Sequence, residues 1–218
     1  MERLRLGIVI PALNEAKTIG TVVASVDSYG VAIVVDDGSS DGTGAEAEAA
    51  GAVVVRHEEN RGYDQALNTG FARAATAGCG WVITMDADGQ HDPTVLYAFI
   101  QALESGADVV VGTRDRRQRL GEHIFSWVAA MKWGIRDPLC GMKGYRIEVY
   151  KELGHFDSYD SIGTELALYA AKMRKRILEV QVRTRARADV PRFGRRYSAN
   201  LRILRALGRG FLHSYPKN

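Results

Sequence analysis

Short runs of β-branched and apolar residues alternate with segments of helical spacing through the first half of this chain, and that alternation constrains the fold more than any other feature. The runs Leu6–Ile10, Ala32–Val35, Ala52–Val55, Trp81–Met85 and Asp108–Val111 are expected to be buried strands. Between them, Ala16–Tyr29, Gly44–Ala50, Gln65–Ala77 and Pro93–Glu104 are expected to be helices. Strands separated by helices pair in parallel through crossover connections, which leaves helices on both faces of the sheet. The expected fold is therefore a three-layer α/β/α domain with a mostly parallel central sheet. No linker or repeat divides the sequence, so residues 1–218 are read as one domain.

The second half is less regular. It carries an Arg-rich loop after Arg114, a short apolar helix around Phe125–Trp133, a turn at Asp137-Pro138-Leu139-Cys140-Gly141, a helix over Gly163–Met173 and a strand over Ile177–Val182. From Ser198 onward the spacing predicts an amphipathic helix, with Leu201, Leu204, Leu207 and Phe211 on one face and Arg202, Arg205 and Arg209 on another. Charge is distributed unevenly along the chain. Residues 174–218 hold 13 Lys/Arg and 2 acids, a net +11 in a chain whose total is +3. Such a tail suits phosphates, an anionic membrane surface, nucleic acid or plain solvent.

The longest uncharged apolar stretch, Leu6–Leu13, is broken by Gly7 and Pro11 and falls well short of the roughly 18 residues that a membrane span needs. The residues Met1–Arg5 lead directly into a strand and carry no secretory h-region, so the expected compartment is the cytoplasm. Cys79 and Cys140 lie far from any Cys or His at metal-ligand spacing and are read as reduced thiols.

In parallel α/β sheets, ligands bind beyond the carboxyl ends of the strands. Three polar clusters follow strand ends here: Pro11-Ala12-Leu13-Asn14-Glu15, Asp36-Asp37-Gly38-Ser39-Ser40-Asp41 and Asp86-Ala87-Asp88-Gly89-Gln90. Asp86 and Asp88 put two carboxylates on the same side of a strand end, and Gln90 adds a neutral oxygen. That set suits a hard divalent cation shared with a diphosphate. By itself an Asp-x-Asp pair followed by Gly and Asp92-Pro93 is equally a turn and a helix start.

Four motifs in order supply the missing context: Ile10-Pro11-Ala12-Leu13-Asn14-Glu15, Val35-Asp36-Asp37-Gly38-Ser39-Ser40-Asp41-Gly42-Thr43, Asn60-Arg61-Gly62 and Met85-Asp86-Ala87-Asp88-Gly89-Gln90-His91-Asp92-Pro93. Together they resemble the family-2 inverting glycosyltransferases, whose fold is the GT-A type. Within that family, the Asp-x-Asp-Gly-Gln form and the run from Asp137 to Arg146 are similar to the polyprenyl-phosphate sugar synthases of the dolichyl-phosphate mannose synthase kind.

The resemblance implies that residues 1–113 form the nucleotide-sugar half and 114–218 the acceptor side, with the basic C-terminal helix. It implies a donor pocket lined by Pro11, Ala12, Asn14 and Glu15, with Asp36 or Asp37 on base or ribose and Asp86 near the diphosphate. Asp64 falls in the same pocket, where relatives usually carry glycine. Mg2+ or Mn2+ is expected on Asp86, Asp88 and Gln90, with Asp88 also catalytic through that ion. Arg114 is expected to hold phosphate, and Arg192 and Arg196 to belong to a basic segment that closes on the donor diphosphate. The implied partners are a UDP- or GDP-hexose and a polyprenyl phosphate, with a saccharide hydroxyl as the alternative acceptor. A hydroxyl acceptor needs a general base, and Asp137 and Glu165 are the carboxylates placed for it.

Two other classes fit less well. A sugar nucleotidyltransferase expects a Gly-x-Gly-x-Arg loop after the first strand, where this chain has Ile10-Pro11-Ala12-Leu13-Asn14. A nucleic-acid module driven by the basic tail leaves three acid-rich loops without a purpose, so no nucleic-acid partner is expected.

Overall fold

A computed structural model describes residues 5–115, 119–183 and 196–215. Among them the chain runs β1 (Leu6–Ala12), α1 (Ile19–Val26), β2 (Val31–Asp36), α2 (Thr43–Ala49), β3 (Val53–Arg56), α3 (Tyr63–Thr76), β4 (Trp81–Thr84) and α4 (Val95–Glu104). It continues through β5 (Val109–Arg114), α5 (Leu120–Trp133), β6 (Lys143–Arg146), α6 (Ile147–Leu153), α7 (Glu165–Lys172), β7 (Ile177–Val182) and α8 (Arg196–Leu212). One seven-stranded sheet results, in the order β3-β2-β1-β4-β6-β5-β7.

The sheet is parallel except at β6, which runs antiparallel to both neighbours, with Lys143 opposite Thr84 and Val111 and Tyr145 opposite Val82 and Val109. β6 and α6 are absent from the sequence-based expectation. Lys143-Gly144-Tyr145-Arg146 contains no apolar run, and its place in the sheet comes from burial on both sides rather than from its own pattern. Space is tight at Gly144, where a Cβ would sit 3.3 Å from Phe99 Cδ1 and press on that ring.

The expected strands were nearly continuous apolar runs because the sheet is covered on both faces. Ile8, Ile10, Val34, Ile83 and Val110 face one layer with Leu96, Phe99 and Leu103 of α4 and Val22 of α1. Val9, Ile33, Val82, Val109 and Val111 face the other, with Leu67 and Phe71 of α3, Phe125 of α5 and Ile203 of α8. Burying each such side chain contributes about 1.5–3 kcal/mol, so the sheet's central strands form a rigid base for whatever their ends carry. No helix among the described residues is long and apolar enough to cross a membrane. Cys79 and Cys140 are buried free thiols, as the sequence implied.

α8 is amphipathic, but its inner face differs from the expected one. Ala199, Ile203 and Ala206 are buried against the domain, whereas Leu201, Leu204 and Phe211 are exposed together with Arg202 and Arg205. The leucine count misled because small residues permit the closest helix packing, and the larger apolar side chains are the ones left outside.

Candidate active site

The carboxyl ends of β1, β2 and β4 lie side by side, since Ala12 pairs with Asp36 and Val9 with Thr84. The loops they deliver are stitched to one another. Asn14, at φ 52, donates its N–H to Ser39 Oγ at 2.8 Å and accepts from Ser40 N–H at 2.8 Å. Glu15 N–H donates to Thr43 Oγ1 at 2.8 Å. The chain therefore spends Asn14 on joining the first two loops, with Pro11 and Ala12 forming the adjacent wall.

Asp36 and Asp37 are both buried, and they do different things. Asp36 Oδ1 accepts from Ser39 N–H at 3.1 Å, closing the turn at the end of β2. Asp37 is occupied on both oxygens: it accepts from Arg61 N–H at 2.9 Å and Gly62 N–H at 2.8 Å, and His57 Nδ1 lies 2.7 Å away. Its geometry is that of a clamp on the 60–62 loop rather than a group turned to base or ribose. Gly38 completes the clamp. It sits at φ +74, and a Cβ there would lie 2.5 Å from the Glu59 carbonyl carbon, so only glycine fits.

Asp86 follows β4 and is the open carboxylate, with 36% of its side chain exposed. His91 Nε2 bonds Asp86 Oδ2 at 3.1 Å. Burial works against the Asp86 charge, but His91 foremost, then Lys143 and Arg114, outweigh it and hold the carboxyl below its ordinary value. Burial likewise disfavours the charged imidazole of His91, and its bond to Asp86 overrides that and raises its pKa. Gly141, from the turn before β6, lies directly against both Asp86 oxygens, so that any Cβ would displace the carboxylate. Asp88 is half-buried two residues on, and its Oδ1 accepts from Gln90 N–H at 3.1 Å. Asp86, Asp88 and Gln90 thus occupy one short loop at the sheet edge.

Lys143 is buried at the start of β6, where its Nζ donates to the Cys140 carbonyl at 2.5 Å. Burial lowers its pKa, while Cys140, Asp137 and Asp86 pull the other way. His91 and Lys143 both stand inside motifs visible in the sequence, yet nothing in their spacing tells which neighbour they reach. His57 stands outside every motif.

Three expectations change. Asp137 is fully buried, and both its oxygens are held by the Arg114 guanidinium at 2.9 Å, with Arg114 N–H donating as well at 3.0 Å. A carboxylate forked onto an arginine is a poor proton acceptor, and the fork turns Nε and Nη2 of Arg114 toward Asp137. Glu165, also fully buried, accepts from Ser158 N–H at 2.5 Å and Ser158 Oγ at 3.0 Å and faces His155 Nε2 at 3.1 Å. It anchors the 155–165 loop. Asp64, expected in the donor pocket, is buried against the second half of the chain, accepting from Ile162 N–H at 3.2 Å and Gly163 N–H at 2.6 Å. Arg192 lies outside the described residues, as does the side chain of Arg196.

Asp64, Asp157 and Asp160 bring carboxylate oxygens within 4.8 Å of one another. Burial and then Asp157 push the Asp64 carboxyl up to about 7, against two backbone donors that pull it down. Its folded pKa exceeds the unfolded one, so its contribution to stability is full below the unfolded value near 4 and is lost as pH rises through about 7. Asp64→Asn is therefore expected to gain melting temperature relative to the parent between pH 5 and pH 8, on the order of 5 °C. A pH-independent difference between the two melting curves would show that Asp64 does not ionise in this window.

The chain is 27% identical over 212 residues to the UDP-N-acetylglucosamine–dolichyl-phosphate N-acetylglucosaminyltransferase of Methanococcus voltae, covering 81% of this chain and 84% of that one. It is 30% identical over 167 residues to the polyprenol monophosphomannose synthase of Mycolicibacterium smegmatis, covering 67% and 63%. Its fold matches glucosyl-3-phosphoglycerate synthase of Mycobacterium tuberculosis, solved with Mn2+, UDP and glucosyl-3-phosphoglycerate, at TM-score 0.77 and 22% identity, over 96% of this chain and 79% of that one. The model of the glycosyl transferase family 2 matches residues 7–126. A chain with this sheet order, acid-bearing loops at the ends of β1, β2 and β4, and more than half its length under that model belongs to glycosyl transferase family 2.

Proposed function

We propose that this glycosyltransferase moves a hexose from a UDP- or GDP-sugar to an acceptor whose attacking atom is already a phosphate oxygen, most simply a polyprenyl phosphate. The observation that carries the reading is the state of the two carboxylates placed for a general base. Asp137 is forked onto Arg114, and Glu165 is sealed behind Ser158 and His155. A hydroxyl acceptor must lose a proton as it attacks, and neither group offers a ready lone pair to take it. A phosphate monoester oxygen is anionic at neutral pH and attacks without one. The dolichyl phosphate in the name of the Methanococcus voltae relative has that chemistry, and the name of the Mycolicibacterium smegmatis relative gives a sugar joined to a polyprenol monophosphate as its product.

On the donor side, Asp86 and Asp88 with Gln90 would hold Mg2+ or Mn2+. The fit rests on an all-oxygen donor set, on Asp86 being open to solvent while His91 and Lys143 hold its charge, and on the glycine that keeps its front clear. Such an ion, when bound, neutralises charge developing on the departing nucleoside diphosphate. Pro11, Ala12 and Asp36 would line the nucleotide, with Asn14 and the Asp37 clamp fixing the loops that do so. Arg114 would act through Asp137, holding the turn that presents Gly141 to Asp86.

Incubating the enzyme with labelled UDP- and GDP-hexoses and a matched pair of acceptors, a polyprenyl phosphate and the corresponding polyprenol, tests this. Product is expected with the phosphate, and at least about 100-fold less with the alcohol, the order that loss of base catalysis brings. Efficient transfer to the alcohol or to a free saccharide would overturn the reading and return Asp137 or Glu165 to the role of base.

A further inference from the structure

α5 carries its apolar residues on two opposite faces. Gly121, Phe125 and Ala129 pack inward, as the core requires. Leu120, Ile124, Trp127 and Met131, spaced four, three and four residues apart, form a second stripe pointing away from the domain, with Trp127 65% and Met131 75% exposed. A single exposed leucine needs no explanation, but a stripe of about three turns with a tryptophan in it does.

α8 extends that surface. Gly121 N–H donates to Asn200 Oδ1 at 3.0 Å near the start of both helices, and Lys132 Nζ sits 3.1 Å from the centre of the Phe211 ring near the end of both. The two helices therefore run side by side in the same direction, and the exposed Leu201, Leu204 and Leu212 of α8 form a second apolar row along the first.

Charge identifies what this surface suits. The one acidic residue of α5, Glu122, is buried and paired with Arg119 and Arg114, and α8 has no acidic residue at all. Outward-facing charge on the two helices is thus basic: Lys132, Arg202 and Arg205. A second copy docked face to face would bring these cations together at an apolar seam, which opposes self-association. An anionic bilayer answers both demands, since tryptophan and leucine side chains enter the headgroup boundary while lysine and arginine meet lipid phosphates.

We infer that the outer faces of α5 and α8 together form a docking surface for an anionic lipid bilayer, with Trp127 and Met131 as its inserting residues. The sequence offered an anionic membrane surface as one of several uses for the basic tail, residues 174–218, which contains α8. The structure moves the apolar centre of such a contact to α5, whose first turn reaches the active-site rim through the ion pair of Glu122 with Arg114 at 3.6 Å. This inference goes beyond the acceptor reading and can fail separately from it.

Co-sedimentation with phosphatidylcholine vesicles, with and without phosphatidylglycerol, at low and high salt provides the test. Binding is expected only to the anionic vesicles, weakening as salt rises. Of the three tryptophans Trp81 is buried and Trp127 is the exposed one, so bound protein should show a blue-shifted emission that Trp127→Phe removes while still sedimenting. The double variant Trp127→Glu/Met131→Glu should lose binding by about 100-fold, and Arg202→Glu/Arg205→Glu by about tenfold or more. Both positions of the first pair are solvent-facing, and circular dichroism should confirm unchanged folds. Unaltered sedimentation of Trp127→Glu/Met131→Glu would overturn the inference. So would a dimer in solution that this variant dissociates, because the face would then belong to a second copy. Transfer to a polyprenyl phosphate dispersed in detergent should be the same for this variant and the parent, which separates failure of docking from failure of the acceptor reading.

Discussion

Asp88→Ala is expected to reduce sugar transfer by at least about 1,000-fold, with a melting temperature within a few degrees of the parent. Asp88 lies in a loop beyond β4, half-buried and outside both hydrophobic cores. Its value lies in charge. Two loops place Asp36, Asp37, Asp86 and Asp88 at one edge of the sheet, and a nucleoside diphosphate approaching that edge meets like charge unless a cation intervenes. The same reasoning predicts that donor binding to the parent is lost in excess chelator and restored by Mn2+ or Mg2+. Calorimetric titration of UDP with and without chelator, on parent and variant, reads both effects. Retention of full turnover by Asp88→Ala, or equal UDP affinity with and without the ion, would dismantle the proposed donor site.

The second large effect concerns stability. Arg114→Ala is expected to destabilise the protein by about 3–5 kcal/mol, because it leaves Asp137 as a fully buried carboxylate without its partner. Removal of both charges should cost far less. Arg114→Met/Asp137→Leu would leave no uncompensated ion, and double-mutant cycles from urea denaturation should show strong coupling between the sites. Activity separates structure from positioning: the double variant should fold yet transfer sugar poorly, since the turn from Asp137 to Gly141 would lose its anchor next to Asp86. Additive effects of Arg114→Met and Asp137→Leu in that cycle would show that the pair carries no mutual energy.

Much of this arrangement could be read from the sequence. The strand at Ile177–Val182 appears where its apolar run placed it, and the five earlier runs became β1 to β5 with ends moved by a few residues. β1, β2, β4 and β5 were legible because they are buried on both sides and so cannot alternate, whereas β3, half-buried at the edge of the sheet, was legible from its run of valines. β6 was illegible for the opposite reason, since a lysine, a glycine, a tyrosine and an arginine carry no run at all. The site divides the same way. Asp86, Asp88 and Gln90 form a local motif, and five consecutive residues suffice to bring them together. The partners of Asp37, Asp64, Asp137 and Glu165 lie in other loops. Arg114 is 23 residues from Asp137, and Gly163 is 99 from Asp64. A carboxylate in a sequence looks equally available wherever it stands, and only the fold shows that these four are consumed by backbone amides, hydroxyls or a guanidinium.

The late, reversed strand β6 has a consequence for how the domain comes into being. β4 and β5 never touch through their own ladder; each pairs with β6, which is made more than thirty residues after β5 begins. A nascent chain that has reached residue 126 already contains every motif of the donor half, yet β4 still has a bare edge and β5 has no partner toward the centre of the sheet. Exposed apolar edges of that kind invite pairing with other chains. Residues 1–113 thus do not close a sheet by themselves. Closure of the sheet waits on Lys143–Arg146, the segment that directly follows Gly141, so the protein cannot complete its sheet without also setting the wall against Asp86.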